Sequence, residues 1–164
     1  MSMKLKIPTT AYARGTLRLL EEEDLALTLE WRNLDANRRW FKFSDKLSFD
    51  AHLKWFADYK KKTDDFIFIA CNEKNEPIGQ LAIYNIQKKR AEVGRFVVSR
   101  DYQGKGFMKD AIIELLRIAH NELGLLSVFL EARSENDKAI GLYKGLGFMV
   151  TNRNEEFVSM EKIL

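Results

Sequence analysis

Cysteine, histidine and proline are scarce in this chain of 164 residues, and each scarcity excludes something. The lone thiol, Cys71, rules out an internal disulfide framework, and with only His52 and His120 beside it no spacing reads as a zinc site. No metal is therefore expected, and a reducing cytoplasm is the natural compartment. No window approaches the ~18 consecutive apolar residues of a membrane span, and the first twenty residues lack the apolar core of a secretory signal. A soluble, unprocessed chain without membrane contact is the expectation. A dominant charge is missing too, since 27 Lys+Arg against 24 Asp+Glu leave only +3. The runs Lys60-Lys61-Lys62 and Lys88-Lys89-Arg90 accordingly read as solvated turns, and no nucleic-acid partner is expected. Repeats, low-complexity tracts and linker-like stretches are also lacking, which leaves one domain over residues 1–164. At 46% apolar and 31% charged residues, the chain has enough core-forming material to fold.

The nine glycines are unevenly spread, and six of them fall between 104 and 147. Gly15 to Leu20 reads as a first strand, and Asp24 is placed to cap a helix through Leu25, Leu29 and Arg32. A second helix follows Ser48, with an apolar stripe of Leu53, Trp55, Phe56 and Tyr59 and with His52 on its surface. Phe66 to Cys71 is short, apolar and rich in β-branched and aromatic residues, as in a buried strand. Strands over Ile78–Ile86 and Ala91–Val98 then complete an antiparallel meander, with Glu92, Gly94, Phe96 and Val98 on one face. From Gly106 the period changes. Met108, Ala111, Ile112, Leu115, Ala119 and Leu123 form one helical stripe that Gly124 terminates. A strand over Leu125–Leu130, a helix through Ala139, Tyr143 and Leu146 ended by Gly147, and strands at Phe148–Val150 and Phe157–Met160 follow. The expected fold class is α/β, a mixed sheet with helices on both faces.

A strand entering Gln103-Gly104-Lys105-Gly106-Phe107-Met108 and leading into a long helix has a specific chemistry. The helix start leaves about four backbone N–H groups without intrahelical partners and carries partial positive charge, so a pyrophosphate satisfies both. Glycines at 104 and 106 let oxygens approach, and Lys105 adds a cation at the rim. A plain tight turn is the competing reading. A Walker A loop requires Lys-Ser or Lys-Thr where this chain has Lys105-Gly106, and a dinucleotide fingerprint requires a glycine where Lys109 stands.

The same residues resemble the [Q/R]-x-x-G-x-[G/A] loop of the GNAT superfamily of acetyl-CoA-dependent N-acetyltransferases. Downstream, Asn136 to Phe148 is similar to that family's N-x-x-A-x-x-L-Y-x-x-x-G-F segment. The two motifs occur in the family's order, and the likeness covers residues 15 to 164. Met108 departs from it, standing where the family has Gly or Ala, and its side chain is expected to point into the core or narrow the cradle. The resemblance implies a GNAT-like fold, a mostly antiparallel sheet of about seven strands that splays mid-sheet. It also implies acetyl-CoA as donor. Backbone groups of Phe96, Val97 and Val98 would pair with the pantetheine arm. Gln103, Gly104, Lys105, Gly106, Phe107 and Met108 would hold the pyrophosphate, Asn136 would bond to the arm, and Tyr143 would meet the thioester sulfur.

Acyl transfer from a thioester to an amine needs a neutral amine, a donor for the oxyanion and a proton for the thiolate. Tyr143 is the expected proton donor, against the alternative of plain core packing, and a backbone N–H of Val97 or Val98 the expected oxyanion donor. Glu92 and Glu131 are the candidate bases, each with a solvated strand-end charge as its alternative and with base action through water as a third route. Cys71 reads as core.

The acceptor is less constrained. Trp31-Arg32-Asn33 with His52-Leu53-Lys54-Trp55-Phe56 resembles relatives that acetylate nucleotide-linked amino sugars, and some that acetylate protein N-termini. Trp40, Phe41 and Phe43 could stack on rings and Arg32, Arg38 and Arg39 could meet phosphates, although Trp31 and Trp55 also read as a core pair. The resulting expectation is direct transfer in a ternary complex to a small-molecule amine, such as an amino-sugar nucleotide. A peptide or ribosomal-protein N-terminus and a CoA-binding module without turnover are the alternatives. A monomer or homodimer fits either.

Overall fold

The computed structural model describes residues 3–40 and 45–164. Phe41 and Phe43, expected to stack on an acceptor, lie outside them. The first strands are β1 (Thr10–Tyr12) and β2 (Gly15–Leu19), joined by a tight turn at Ala13-Arg14. The sequence reading missed β1, whose three residues carry too little pattern to distinguish them from a polar lead-in. Gly15 is required where β2 meets the next strand, because a Cβ there would lie 2.0 Å from the Cys71 carbonyl oxygen.

After β2 come α1 (Leu25–Asn33), the single turn α2 (Asp35–Arg38) and α3 (Phe49–Lys61). Asp24 does not cap α1 with its side chain as expected. Its carboxylate accepts from both Arg18 Nη1 and Nη2, at 2.7 and 2.8 Å, and from the Glu21 N–H at 2.9 Å. Ser48 does cap α3, its Oγ accepting from the Ala51 N–H at 3.2 Å.

The buried stripe of α3 is His52, Phe56 and Tyr59, a helical i, i+4, i+7 spacing. His52 is thus inside rather than on the surface. Its ring stacks on Trp55, its Nε2 lies 3.2 Å from Thr28 Oγ1 on α1, and burial followed by the charge of Arg32 lowers its pKa. Trp31 is buried, while Trp55 meets the rings of His52, Phe56 and Tyr59 on its own helix.

The strands β3 (Phe66–Asn72), β4 (Pro77–Gln87) and β5 (Arg90–Val98) form the antiparallel meander. α4 (Phe107–Asn121) then crosses to β6 (Ser127–Arg133), which runs parallel to β5. After α5 (Asp137–Gly145), β7 (Met149–Arg153) and β8 (Phe157–Ile163) close one eight-stranded sheet in the order β1-β2-β3-β4-β5-β6-β8-β7.

Both faces are covered, which is why β3 reads as an unbroken apolar run. Phe66, Phe68 and Ala70 pack in a cluster with Ile112, Leu115 and Ile118 of α4 and Ile140 and Tyr143 of α5, while Ile67, Ile69 and Cys71 pack in a second cluster with Leu25, Phe56 and Tyr59. Full burial of each such Ile or Leu contributes about 1.5–3 kcal/mol. Cys71 is a core residue, and burial pushes its thiol pKa up, away from reactivity.

Candidate active site

Two interruptions of regular pairing build the site. The first lies between β5 and β6, whose parallel register runs only through Arg90, Ala91 and Glu92 against Ser127, Val128 and Phe129. Beyond those residues the strands part, and the β5 backbone from Val93 to Val98 has no β6 partner. A parallel ladder that stops midway leaves N–H and C=O groups able to pair with an extended ligand arm.

The second interruption is in β5 itself. Arg95 has φ 55, and the register with β4 shifts between Gln80 and Ala82, which is a bulge. One extra residue reverses the facing of everything after it. The expected common face of Glu92, Gly94, Phe96 and Val98 is therefore split. Phe96 lies 5.7 Å from the Tyr143 ring in the α4/α5 cluster, and Val98 lines a small apolar cavity with Ala70, Ile78 and Ala111. Glu92 turns the other way, toward Tyr84 of the α3 cluster. Val97 is buried.

At the end of β5 the loop at 103–106 is exposed and enters α4 through two left-handed glycines, Gly104 at φ 73 and Gly106 at φ 83. Only glycine adopts that conformation readily. Gln103 fixes the loop, its Nε2 donating to the Val98 carbonyl at 3.0 Å and to Asn37 Oδ1 at 3.4 Å. The Val98 carbonyl is thereby engaged, leaving fewer acceptors for the arm than the sequence reading supposed.

Cations flank the glycines. Lys138 Nζ lies 3.9 Å from where a Gly104 Cβ would be, and Arg14 Nη2 lies 3.1 Å from the same point on Gly106. Arg14 is held by Asp110 at 2.8 Å, while Lys105 lies 5.9 Å from the Tyr102 ring centre. Left-handed glycines, helix-start N–H groups and flanking positive charge fit a pyrophosphate. Phe107 packs edge-on against Tyr102, and Met108 points inward, its Cε close to Gly79. The departure from the family pattern at Met108 is thus absorbed by the core.

Asn136 is the N-cap of α5, its Oδ1 accepting from the Ala139 N–H at 3.3 Å. Its amide nitrogen is the group left to face a ligand. Tyr143 is 8% exposed between Phe96 and Phe148, and burial raises its pKa. Its hydroxyl makes no hydrogen bond to any described residue.

The two carboxylates stand across the sheet from that hydroxyl. Glu92 accepts from Tyr84 Oη at 3.1 Å and from Asn85 Nδ2 at 3.0 Å. Glu131 is exposed on β6, where Val128, Leu130 and Ala132 take the α4/α5 side. Sequence reasoning missed Tyr84, Asn85 and Arg95. An asparagine inside an otherwise apolar strand was the one available hint of irregular backbone. Among the described residues no cluster of His, Cys, Asp or Glu is arranged to hold a metal ion, and no helix is long and apolar enough to cross a membrane.

Comparison with known proteins bears on the fold and the family. The acetyltransferase (GNAT) family model matches residues 26–148. A prophage-derived uncharacterized N-acetyltransferase of Bacillus subtilis, YokL, is 29% identical over 82% of this chain and 75% of its own. Spermidine N(1)-acetyltransferase of Escherichia coli K12 is 30% identical over 82% of this chain and 72% of its own. Among solved structures, the Vibrio cholerae spermidine N-acetyltransferase in complex with CoA and spermine has a TM-score of 0.81 at 24% identity, covering 90% of this chain and 94% of that one. Apo FdhC, a nucleotide-linked sugar GNAT, has a TM-score of 0.84 at 17% identity, covering 97% and 91%. The chain belongs to the GNAT acetyltransferase family and is an acetyl-CoA-dependent N-acetyltransferase.

Proposed function

We propose that this enzyme moves the acetyl group directly from acetyl-CoA to a small aliphatic primary amine of the polyamine type, with both substrates bound together across the β5/β6 splay. The observation that carries the reading is the placement of Glu92 and Glu131 on one face of the sheet and the Tyr143 hydroxyl on the other. An amine arriving from the α1/α3 side meets negative charge, as a polycation requires, and the thiol leaves on the α4/α5 side. The similarity to spermidine acetyltransferases supports the same class.

Acetyl-CoA supplies an activated acyl thioester. The loop from Gln103 to Met108, with Lys138 and Arg14 beside it, holds the pyrophosphate, and the open β5 edge at Phe96–Val98 and the Asn136 amide hold the arm. Glu92 takes the proton of the incoming ammonium, directly or through a water. Glu131 binds a second cationic centre of the acceptor. A backbone N–H of Val97 or Val98 stabilises the charge that develops on the acyl oxygen. Tyr143 donates a hydrogen bond to the departing sulfur. Because burial holds the phenol above its usual ~10 while a free thiol titrates near 8.5, Tyr143 stays protonated and stabilises a thiolate rather than surrendering its proton outright.

A second reading, a nucleotide-linked amino sugar, is favoured by the neighbouring guanidiniums of α1 and α2. Arg32 lies close enough to Arg38 that burial and this second charge lower its pKa, and Arg39 sits 4.6 Å over the Trp40 ring. Paired guanidiniums beside an indole suit a phosphate-bearing ring.

Thiol release from acetyl-CoA, measured with spermidine, spermine, a nucleotide-linked amino sugar and an N-terminal peptide, decides between them. Turnover on the polyamines with little on the sugar is the expected result. Turnover on the sugar alone selects the second reading, and turnover on the peptide alone rejects both. Thermal stabilisation by acetyl-CoA with no thiol release from any amine would reveal a binding module.

A further inference from the structure

Tyr84 and Asn85 are consecutive in β4, and in a regular strand their side chains would point to opposite faces. Here both reach one carboxylate, Tyr84 donating to Glu92 Oε2 at 3.1 Å and Asn85 to Glu92 Oε1 at 3.0 Å. The backbone departs from regularity to allow it. Asn85 has φ 51, and the β4/β5 register shifts between Tyr84 and Gln87. Asparagine enters the left-handed region more readily than other non-glycine residues and so suits this bulge; a side chain without that tolerance persists there where its surroundings impose it.

The second left-handed residue of this strand pair, Arg95, serves the same group. Its guanidinium lies 4.0 Å from the Tyr84 ring centre, and its Nη1 donates at 2.8 Å to Asp65, whose side chain is 5% exposed. Between Glu92 and Arg95 stands Gly94, with no left-handed φ of its own. What it provides is room, since a Cβ at Gly94 would come 2.7 Å from Tyr84 Oη. Two bulges, a stacked ion pair and a missing side chain thus converge on one hydroxyl-to-carboxylate contact.

We propose that Tyr84 and Asn85 are positioning residues that clamp the Glu92 carboxylate beside the splay, with Arg95, Asp65 and Gly94 holding Tyr84 in place. The inference rests on reading Glu92 as the base. Each carboxylate oxygen accepts one neutral donor and keeps a lone pair for the ammonium or a bridging water. Two donors, one to each oxygen, fix the orientation of the carboxylate as well as its position. Tyr84, partly buried beside that carboxylate, has its pKa raised by burial and by the neighbouring negative charge, so it stays protonated at neutral pH and is a permanent donor. The other charged groups around Tyr84 are Arg95 and its partner Asp65, with Lys4 near Asp65.

The test is carboxyl-carbon NMR of glutamate-labelled enzyme with CoA bound, the Glu92 resonance being assigned from its loss in Glu92→Gln, read beside kcat and KM for acetyl-CoA and spermidine. Tyr84→Phe, which keeps the ring, should shift the Glu92 resonance and lower kcat roughly tenfold while both KM values stay within about twofold. Gly94→Ala should do the same by displacing the hydroxyl, and Asn85→Ala should do so to a smaller extent. A Glu92 resonance at the wild-type position in both Tyr84→Phe and Gly94→Ala overturns the clamp, whatever their melting temperatures do. A resonance that moves while kcat stays, or a Glu92→Gln enzyme with full turnover, upholds the clamp's geometry and overturns the base reading beneath it.

Discussion

Phe96 and Glu92 stand four residues apart on one strand yet on opposite faces of the sheet, Phe96 against the Tyr143 ring and Glu92 against the Tyr84 hydroxyl. The single extra residue at Arg95 separates them. On the proposed mechanism, proton removal from the amine and stabilisation of the leaving sulfur fall on different sides of one strand, with the two substrates meeting at its open edge.

That division makes Tyr143 separable from cofactor binding. Tyr143→Phe keeps the ring packed between Phe96 and Phe148 and removes only the hydroxyl. Turnover should fall by roughly 10- to 100-fold, somewhat less than loss of a preorganised oxyanion donor costs, while acetyl-CoA affinity by calorimetry stays within about twofold. Unchanged turnover would remove Tyr143 from the chemistry.

The phosphate cradle has a stricter requirement. Gly106 combines φ 83 with Arg14 Nη2 at 3.1 Å from any added Cβ. Gly106→Glu should abolish stabilisation by CoA in a thermal melt, since it adds strain, bulk and negative charge where a pyrophosphate belongs. Circular dichroism should stay native, and retained CoA stabilisation would exclude this loop as the site.

Stability should depend on His52 below neutrality. Its folded pKa lies under the unfolded value of 6.5, chiefly through burial and then through Arg32. The unfolded chain therefore binds the proton first as pH falls. The stability associated with neutral His52 is fully present above about 6.5 and is lost progressively toward the lower folded pKa. Urea unfolding between pH 5 and 7.5 should show a steeper acid decline for wild type than for His52→Gln, and parallel declines would contradict the buried neutral imidazole.

Arg95 should matter for folding as well as for catalysis. Arg95→Ala leaves the nearly buried Asp65 carboxylate without its partner and unstacks Tyr84. A loss on the order of 2–3 kcal/mol is expected from chemical denaturation at pH 7. Arg95→Lys should recover only part of it, because an ammonium lacks the planar face.

Much of this was legible in the chain. The α4 stripe, the glycine that ends it, the apolar run of β3 and the left-handed glycines at 104 and 106 follow local rules of period and backbone freedom, and the structure bears them out. The two-sidedness of the site was not legible, because one left-handed non-glycine residue inverts the facing of a strand and leaves no mark in composition. Asn85 and Arg95 are such residues. His52 was misplaced for a related reason, since polarity suggested a surface and only the contact with Thr28 makes its burial affordable. The network around Glu92 comes from β4, β5 and the residue just before β3, and becomes visible only once β4 and β5 are paired.

The short parallel ladder between β5 and β6 has a consequence for how the family diverges. The opening it leaves is lined by main chain, and main-chain groups are the same in every sequence that keeps the splay. Donor recognition can thus survive extensive drift, as it must between chains sharing fewer than a third of their residues. The proposed acceptor side, built from side chains of α1, α2 and α3 and from Glu131 on β6, has no such insulation. New amine substrates should therefore arise by change in the first sixty residues and at Glu131, with the main-chain opening left largely as it is.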